Sequence, residues 1–390
     1  MSTLKVNAIR QTAATSDAIT LASDGTCMAK VTNNLSNRNL IINGAMNVAQ
    51  RGTSSTTSAS YTCDRFRVKW SGQDEVLTYS QHALTSSDTG PWAKGFRNSL
   101  HVQNGNQTGG AGAADYANIN YRVEAQDVAG SGWDYTSASS YITLSFWVKS
   151  SVAQTFYFII TNGDGTTYNY PIETGSLTAD TWTKVTKTIP GNSNLTINND
   201  NGNGLEFDIQ LFRGTDTTGS VTLNQWATFA SATRCPDVTS TWWTTNDSTF
   251  EITGVQLEVG EVATDFEHRS YADELLRCQR YFYMRADGSE ATSAAIAEGR
   301  FMSGSEVDFM TFFPVTMRAT PSIYQVTGAD YFALKASGYN QNVDGNWTLQ
   351  WSQPNGTSHY ATPDATGTTN MPAQIILMNA AARLGYNAEL

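Results

Sequence analysis

Apolar and polar positions alternate along most of this chain with the period of two that belongs to a β-strand. Phe66, Val68 and Trp70 alternate with Arg65, Arg67 and Lys69. Segments 141–149 (YITLSFWVK) and 155–160 (TFYFII) are rich in aromatic and β-branched residues and are separated by a short loop, as in a hairpin. Strand patterns recur at 181–189 (TWTKVTKTI), 205–212 (LEFDIQLF) and 250–259 (FEITGVQLEV), with Gly- and Asn-rich turns between them. Many short strands and almost no helical period predict an all-β chain whose main body is a jelly-roll β-sandwich.

One stretch breaks the pattern. Segment 271–283 (YADELLRCQRYFY) sets Leu275, Cys278, Gln279 and Phe282 at helical spacing, with acids early and arginines late as the helix dipole prefers. It predicts a short helix linking two domains. Beyond it, 307–315, 317–324, 347–351 and 374–378 return to strand patterns and predict a smaller C-terminal β-domain. At the other end, Leu4, Val6 and Ala8 alternate with polar neighbours, as do Ile19 and Leu21, before a Ser23-Asp24-Gly25 turn. Strands this short have no core of their own and must bury their apolar face elsewhere, most simply against identical copies. The organisation is a docking and oligomerisation arm at 1–37, the sandwich at 38–266, a linker helix at 267–284 and the C-terminal domain at 285–390.

Composition narrows the function classes. Charged residues are only 15% of the 390, and the net charge is −11. Without a basic cluster there is no surface to displace counterions from phosphate, so nucleic acid is not an expected partner. Cys27, Cys63, Cys235 and Cys278 are scattered with no CxxC pair, which gives neither a zinc site nor a dense disulfide framework. Buried reduced thiols are expected, with one bridge left open. MSTLKVNAIRQ has no apolar signal-peptide core, and the apolar runs near Phe156 and Ile375 are far too short for a span, so no membrane insertion is expected.

Two segments are more specific than composition. NLIINGAMNVAQR at 39–51, followed by YTCDRF at 61–66, resembles the opening of a family of bacteriophage tail-fibre and virion-appendage proteins. GVQLEVGEVATDFEHRSYADELLRCQRYF, ending at Phe282, resembles the close of the same domain, and the strands between look like jelly rolls of carbohydrate-binding-module type. The N-terminal LKVNAIRQ is similar to the start of virion proteins of marine phages related to cyanophages. The resemblance implies a homotrimeric structural protein of the virion, assembled in the host cytoplasm. Its arm would dock to tail or capsid proteins and its body would attach to host-surface glycan. Within these motifs Asn43-Gly44 predicts a tight turn, and Asp64 and Arg65 are placed to pair with each other. Glu267, His268 and Arg269 are placed to bond backbone carbonyls or nearby carboxylates, all in structural roles.

Candidate chemistry is sparse, and the expectation is that the chain is not an enzyme. Glu206 and Asp208 share one face of their strand, a pattern that fits a glycosidase carboxylate pair and equally a solvent-facing strand. The four histidines, His82, His101, His268 and His359, have no metal spacing, and no GxSxG elbow occurs. Turns at 162–165 (NGDG) and 198–203 (NNDNGN) offer Asn162, Asp164 and Asp200 as oxygen ligands for a structural calcium ion, although hairpin turns use the same residues. No other cofactor is implied. Sugar binding would need exposed aromatic rings beside amides and carboxylates. Trp92 in a Gly-rich loop is one candidate platform. The adjacent Trp242 and Trp243 are others, since a strand there would turn one indole outward. Trp147 and Trp182 are expected in the core. A polysaccharide depolymerase, or a purely structural connector or capsid decoration, are the alternative readings.

Overall fold

The computed structural model describes residues 6–10, 12–13, 15, 18–21, 23, 27–29, 37–289, 293–336, 339–364 and 366–390. The chain is mostly β, 43% strand and 7% helix, built from antiparallel sheets. Among the described residues the sandwich pairs a six-stranded with a seven-stranded sheet. The six-stranded sheet runs in the order Thr183–Pro190, Tyr141–Ser150, Thr249–Val259, Asn98–Gln103, Thr78–Ala83, Ser54–Ser55. The seven-stranded sheet runs Ala227–Thr228, Tyr168–Ser176, Thr155–Asn162, Asn203–Arg213, Tyr116–Glu124, Arg67–Ser71, Ser60–Tyr61. The chain passes repeatedly between the two sheets, and in each long strand every second residue faces the shared core. Ile142, Leu144, Phe146 and Val148 meet Leu205, Phe207, Ile209 and Leu211 there. Phe146 stacks on Phe158 with centroids 4.4 Å apart, filling the gap between the layers.

The predicted helix forms but is shorter, Tyr271–Gln279. Ser270 caps it by accepting from the Asp273 amide. It ends because Tyr281 turns into a small cluster with Ile42, Val48 and Cys278, and Phe282 starts the Phe282–Asp287 strand, which pairs with Arg383–Asn387. Phe282 is therefore not on the helical face its spacing suggested. Cys63, Cys235 and Cys278 are free and buried.

The C-terminal region has its own core around Phe309, Phe332, Leu334, Trp347 and Ile375. A three-stranded sheet (Phe282–Asp287, Arg383–Asn387, Ser322–Val326) accompanies a second seven-stranded one. That larger sheet runs Tyr339–Val343, Phe332–Ala336, Pro372–Leu377, Ala295–Phe301, Val307–Phe312, Gly356–Ala361, Thr348–Gln353. In the arm, Ala8–Ile9, Ile19–Leu21 and Cys27–Ala29 form a three-stranded sheet that leaves Val6, Ile9 and Leu21 exposed. Leu4 and most of the 23–25 turn lie outside the described residues.

Candidate functional site: a polar floor on the outer face of the sandwich

Residues facing away from the core in the middle of the sandwich's seven-stranded sheet are amides, acids and cations. Cross-strand register sets them in rows: Lys69 beside Asn118, Gln210 and Tyr157; Arg67 beside Asn120, Asp208 and Ile159; Arg122 beside Glu206 and Thr161. Asn120 Nδ2 bridges the two carboxylates, donating to Glu206 Oε1 at 2.6 Å and Asp208 Oδ1 at 2.9 Å. Asn118 Nδ2 donates to Asp208 Oδ1 at 2.5 Å, and Arg122 Nε donates to Glu206 Oε2 at 2.9 Å. Gln210 is held in turn by Arg213 Nε at 2.7 Å.

The short amides form the floor and the long cations the flanks. Asn118, Asn120 and Gln210 are buried, whereas Glu206, Asp208, Lys69 and Arg122 are half-buried. Burial lowers the Lys69 ammonium below the usual lysine range, against the upward pull of Asp208 and Glu206. The buried Oδ1 atoms of Asn118 and Asn203 accept no hydrogen bond within the protein. Beside the floor lies a cavity of about 280 Å³, lined among others by Ile159, Thr161, Glu206, Asp208, Phe229 and Arg234. Such a surface offers fixed donors and acceptors to a polyhydroxylated ligand.

The opposite face of the sandwich is covered. Loop 85–97 crosses the outer side of the six-stranded sheet, with Gly90 against the Trp147 ring, where a Cβ would stand 2.7 Å from it. Asp88 Oδ1 in that loop accepts from Trp182 Nε1 at 3.0 Å and Lys149 Nζ at 3.2 Å, and Lys149 also pairs with the buried Glu251 at 2.9 Å. Three tryptophan expectations are corrected here. Trp92 is not a free platform: it belongs to this loop, is half-buried against the Leu84 and Phe96 cluster, and the Arg97 guanidinium lies 3.8 Å from its ring centroid. Trp147 and Trp182 are not in the main core but pack half-buried in a satellite cluster with Leu84 and Phe96.

The expectation of an outward indole at Trp242 or Trp243 is also corrected. Thr241–Thr244 is a helical turn rather than a strand, and both rings are fully buried. Successive helical side chains diverge by about 100° instead of 180°, so one wall of the sandwich end takes both. Trp243 stacks on Phe212 at 5.1 Å and donates to the Gly110 carbonyl, while Asn104 Nδ2 holds the Trp243 carbonyl at 2.6 Å.

The turn oxygens proposed for calcium already have donors. Asn162 closes its own turn, donating to the Asp164 and Thr166 carbonyls and accepting from the Tyr168 amide. Both Asp164 carboxylate oxygens accept from Asn198, and Asp200 Oδ1 accepts from the Gly202 amide. Among the described residues no group of three or more His, Cys, Asp or Glu side chains converges as a metal cage would require.

Of the motif residues, Asp64 and Arg65 lie where the sandwich meets the C-terminal domain, and Glu267, His268 and Arg269 tie segment 37–41 and Lys94 to the end of the sandwich. Asp64 and Arg65 do not pair with each other, because Arg65 has a positive φ of 75° that turns its side chain away. Asp64 accepts from the Gln50 amide and side chain and lies 3.6 Å from Arg51; burial nevertheless pushes its carboxyl up to about 6. Arg65 pairs with Glu389, with its guanidinium 3.4 Å from the Tyr281 ring centroid. Glu267 accepts from the Asn37 and Asn39 amides, and burial is outweighed by these bonds and Arg269, so its carboxyl is lowered. Arg269 donates to the Asn39 and Ile41 carbonyls, and His268 Nε2 lies 2.8 Å from the Lys94 carbonyl.

The polar floor itself was only half legible. Glu206 and Asp208 stood out as a pair on one strand face, but Asn118 and Asn120 come from a strand more than eighty residues away. The alternation in YANINYRVE was the available signal.

No family model matches the chain, and no curated protein matches it. Loose likenesses of fold occur among solved structures. A carbohydrate-binding module of family 4 is 11% identical, with a TM-score of 0.30, over 56% of this chain and 99% of that one. The tandem CBM22-1-CBM22-2 domain of Paenibacillus barcinonensis Xyn10C is 10% identical, with a TM-score of 0.25, over 86% of this chain and 97% of that one. The enzymatically active domain of tailspike protein 4 of bacteriophage CBA120 is 11% identical, with a TM-score of 0.29, over 50% of this chain. The matched stretch spans only 19% of that tailspike.

Proposed function

We propose that this protein is a non-enzymatic structural subunit of a phage virion appendage, and that its sandwich binds a host-surface saccharide on the outer face of the seven-stranded sheet. The observation that carries the binding part is the row of half-buried Glu206, Asp208, Lys69 and Arg122, held in place over buried Asn118, Asn120 and Gln210 and opening on the cavity of about 280 Å³. Carboxylates and cations fixed in one geometry are the donors and acceptors that sugar hydroxyls bind. Glycosidase carboxylates flank a scissile bond from two sides, whereas Glu206 and Asp208 rise side by side from one strand and share one amide. That favours binding over hydrolysis. The virion part rests on the motif resemblance and on the arm, whose exposed Val6, Ile9 and Leu21 call for cover by neighbouring copies, a homotrimer on the resemblance.

Calorimetric titration with oligosaccharides cut from host surface polysaccharide tests the site. Asp208→Ala is expected to cost about 2 kcal/mol of binding, the worth of a hydrogen bond to a charged group. Trp92→Ala is expected to bind as the parent protein does. Equal affinity for the Asp208 variant would move the site elsewhere, and release of reducing ends during incubation would make the protein a depolymerase.

A further inference from the structure

The C-terminal domain carries a second surface unlike the rest of the molecule. On the outer side of its seven-stranded sheet, Met310 is 60%, Phe312 75% and Trp351 71% exposed. These side chains stand on two strands with Gly356–Ala361 running between them. Register places Met310 and Trp351 on either side of Ser358, and Phe312 and Gln353 on either side of Gly356. Small residues in the middle strand and large ones on both flanks make a shallow trough. Tyr360 stands at its end, beside the Arg300–Asp308 ion pair of 3.2 Å.

We infer that this trough is a second saccharide site, separate from the sandwich floor, that takes an uncharged sugar ring against Trp351. Size excludes the main competitor, a second copy of the chain. Three strands at about 4.8 Å spacing and three alternate positions along them span roughly 14 by 14 Å, about 200 Å². A stable subunit contact needs about 800 Å² on each partner. Charge points the same way. The one acid and one base at the trough neutralise each other, and its other members are uncharged, which suits a neutral ligand. The C–H face of a pyranose packs on an indole, while the exposed Gln353 amide two residues along the same strand and the Tyr360 phenol on the neighbouring strand stand on the same side for its hydroxyls.

Native gel electrophoresis of the full chain through soluble xylan, mixed-linkage β-glucan, galactomannan and dextran tests this. On whichever polysaccharide retards the parent protein, Trp351→Ala and Phe312→Ala should each weaken retardation about tenfold, and Trp351→Phe should recover part of it. Parent-like retardation of both alanine variants, or no retardation of the parent protein on all four, overturns the inference. So does a fall in molar mass of Trp351→Ala by light scattering, which would give the face to a second copy. An Asp208→Ala arm keeps the two sites apart: retardation lost in the Trp351 variant but unchanged in the Asp208 variant assigns that polysaccharide to this trough, and the titration with host oligosaccharide decides the sandwich site by itself.

Discussion

His359 sits fully buried in the C-terminal core, its ring stacked 4.4 Å from Phe309, and neither ring nitrogen makes a well-formed hydrogen bond. Burial drives its pKa down to about 4 from the ordinary 6.5. The folded state therefore binds fewer protons than the unfolded chain between those values, and stability is lost as pH falls from 6.5 towards 4. A shift of this size is worth roughly 3 kcal/mol at the acid end. His359→Leu removes both the titration and an unsatisfied polar ring. Thermal melts should show the variant equal to or more stable than the parent at pH 7 and clearly more stable near pH 4.5. A parent-like loss on acidification would assign the acid sensitivity to another group. Nothing in the local sequence, TSHYA, marked this histidine as internal; only its register against Phe309 does so.

Strands were legible where the alternation was long and one face apolar. YITLSFWVK, LEFDIQLF and FEITGVQLEV lie in Tyr141–Ser150, Asn203–Arg213 and Thr249–Val259 as their periods predict. What the period cannot convey is cover on the outer face. Trp147 obeys the alternation, yet it is loop 85–97, remote in sequence, that decides how much of its ring meets solvent. Trp242-Trp243 misled for a related reason: four residues are too few to distinguish strand from helical turn. The Asn43-Gly44 turn was readable, but its tightness comes from elsewhere. Asn43 has a φ of 61°, its side chain bonds Val48 and Asp64, and the Gly44 carbonyl accepts from the Val255 amide at 2.9 Å. A Cβ on Gly44 would stand 2.0 Å from the Val255 carbonyl oxygen. Gly44→Ala must therefore push the turn off the Thr249–Val259 strand, at a cost of about 3 kcal/mol in urea unfolding, in the range of other overpacked sites. An alanine variant as stable as the parent would mean that this turn does not anchor the segment.

At the scale of the whole molecule, parts of the segments that carried the family resemblance, around Gln50-Arg51, Asp64-Arg65 and Arg280 to Phe282, form the joint that holds sandwich, helix and C-terminal domain together. Arg280 pairs with the buried Glu124 at 2.7 Å, and Arg318 donates to the Asn201, Ala388 and Glu389 carbonyls. Arg51 lies 3.5 Å from the Phe282 ring centroid, and Glu389 accepts from both Arg51 and Arg65. Burial alone would lower the Arg65 guanidinium, yet Glu389 with Tyr281, Tyr121 and Tyr61 together outweighs it and holds the charge in place. Motifs of this kind read as domain ends in one dimension, whereas the contacts between positions 65 and 389 exist only in three. Glu389→Gln takes the carboxylate from the buried Arg65 while Arg51 keeps Asp64, and removing one partner of a buried pair costs about 3–5 kcal/mol. The loss should fall on the joint rather than on either core, because both hydrophobic clusters keep all their members. Calorimetry is expected to resolve one parent transition into two, with the C-terminal domain melting first and saccharide binding at the sandwich floor intact. A single transition at the parent temperature would show that the two domains are held by their apolar contacts and not by this ion-paired joint.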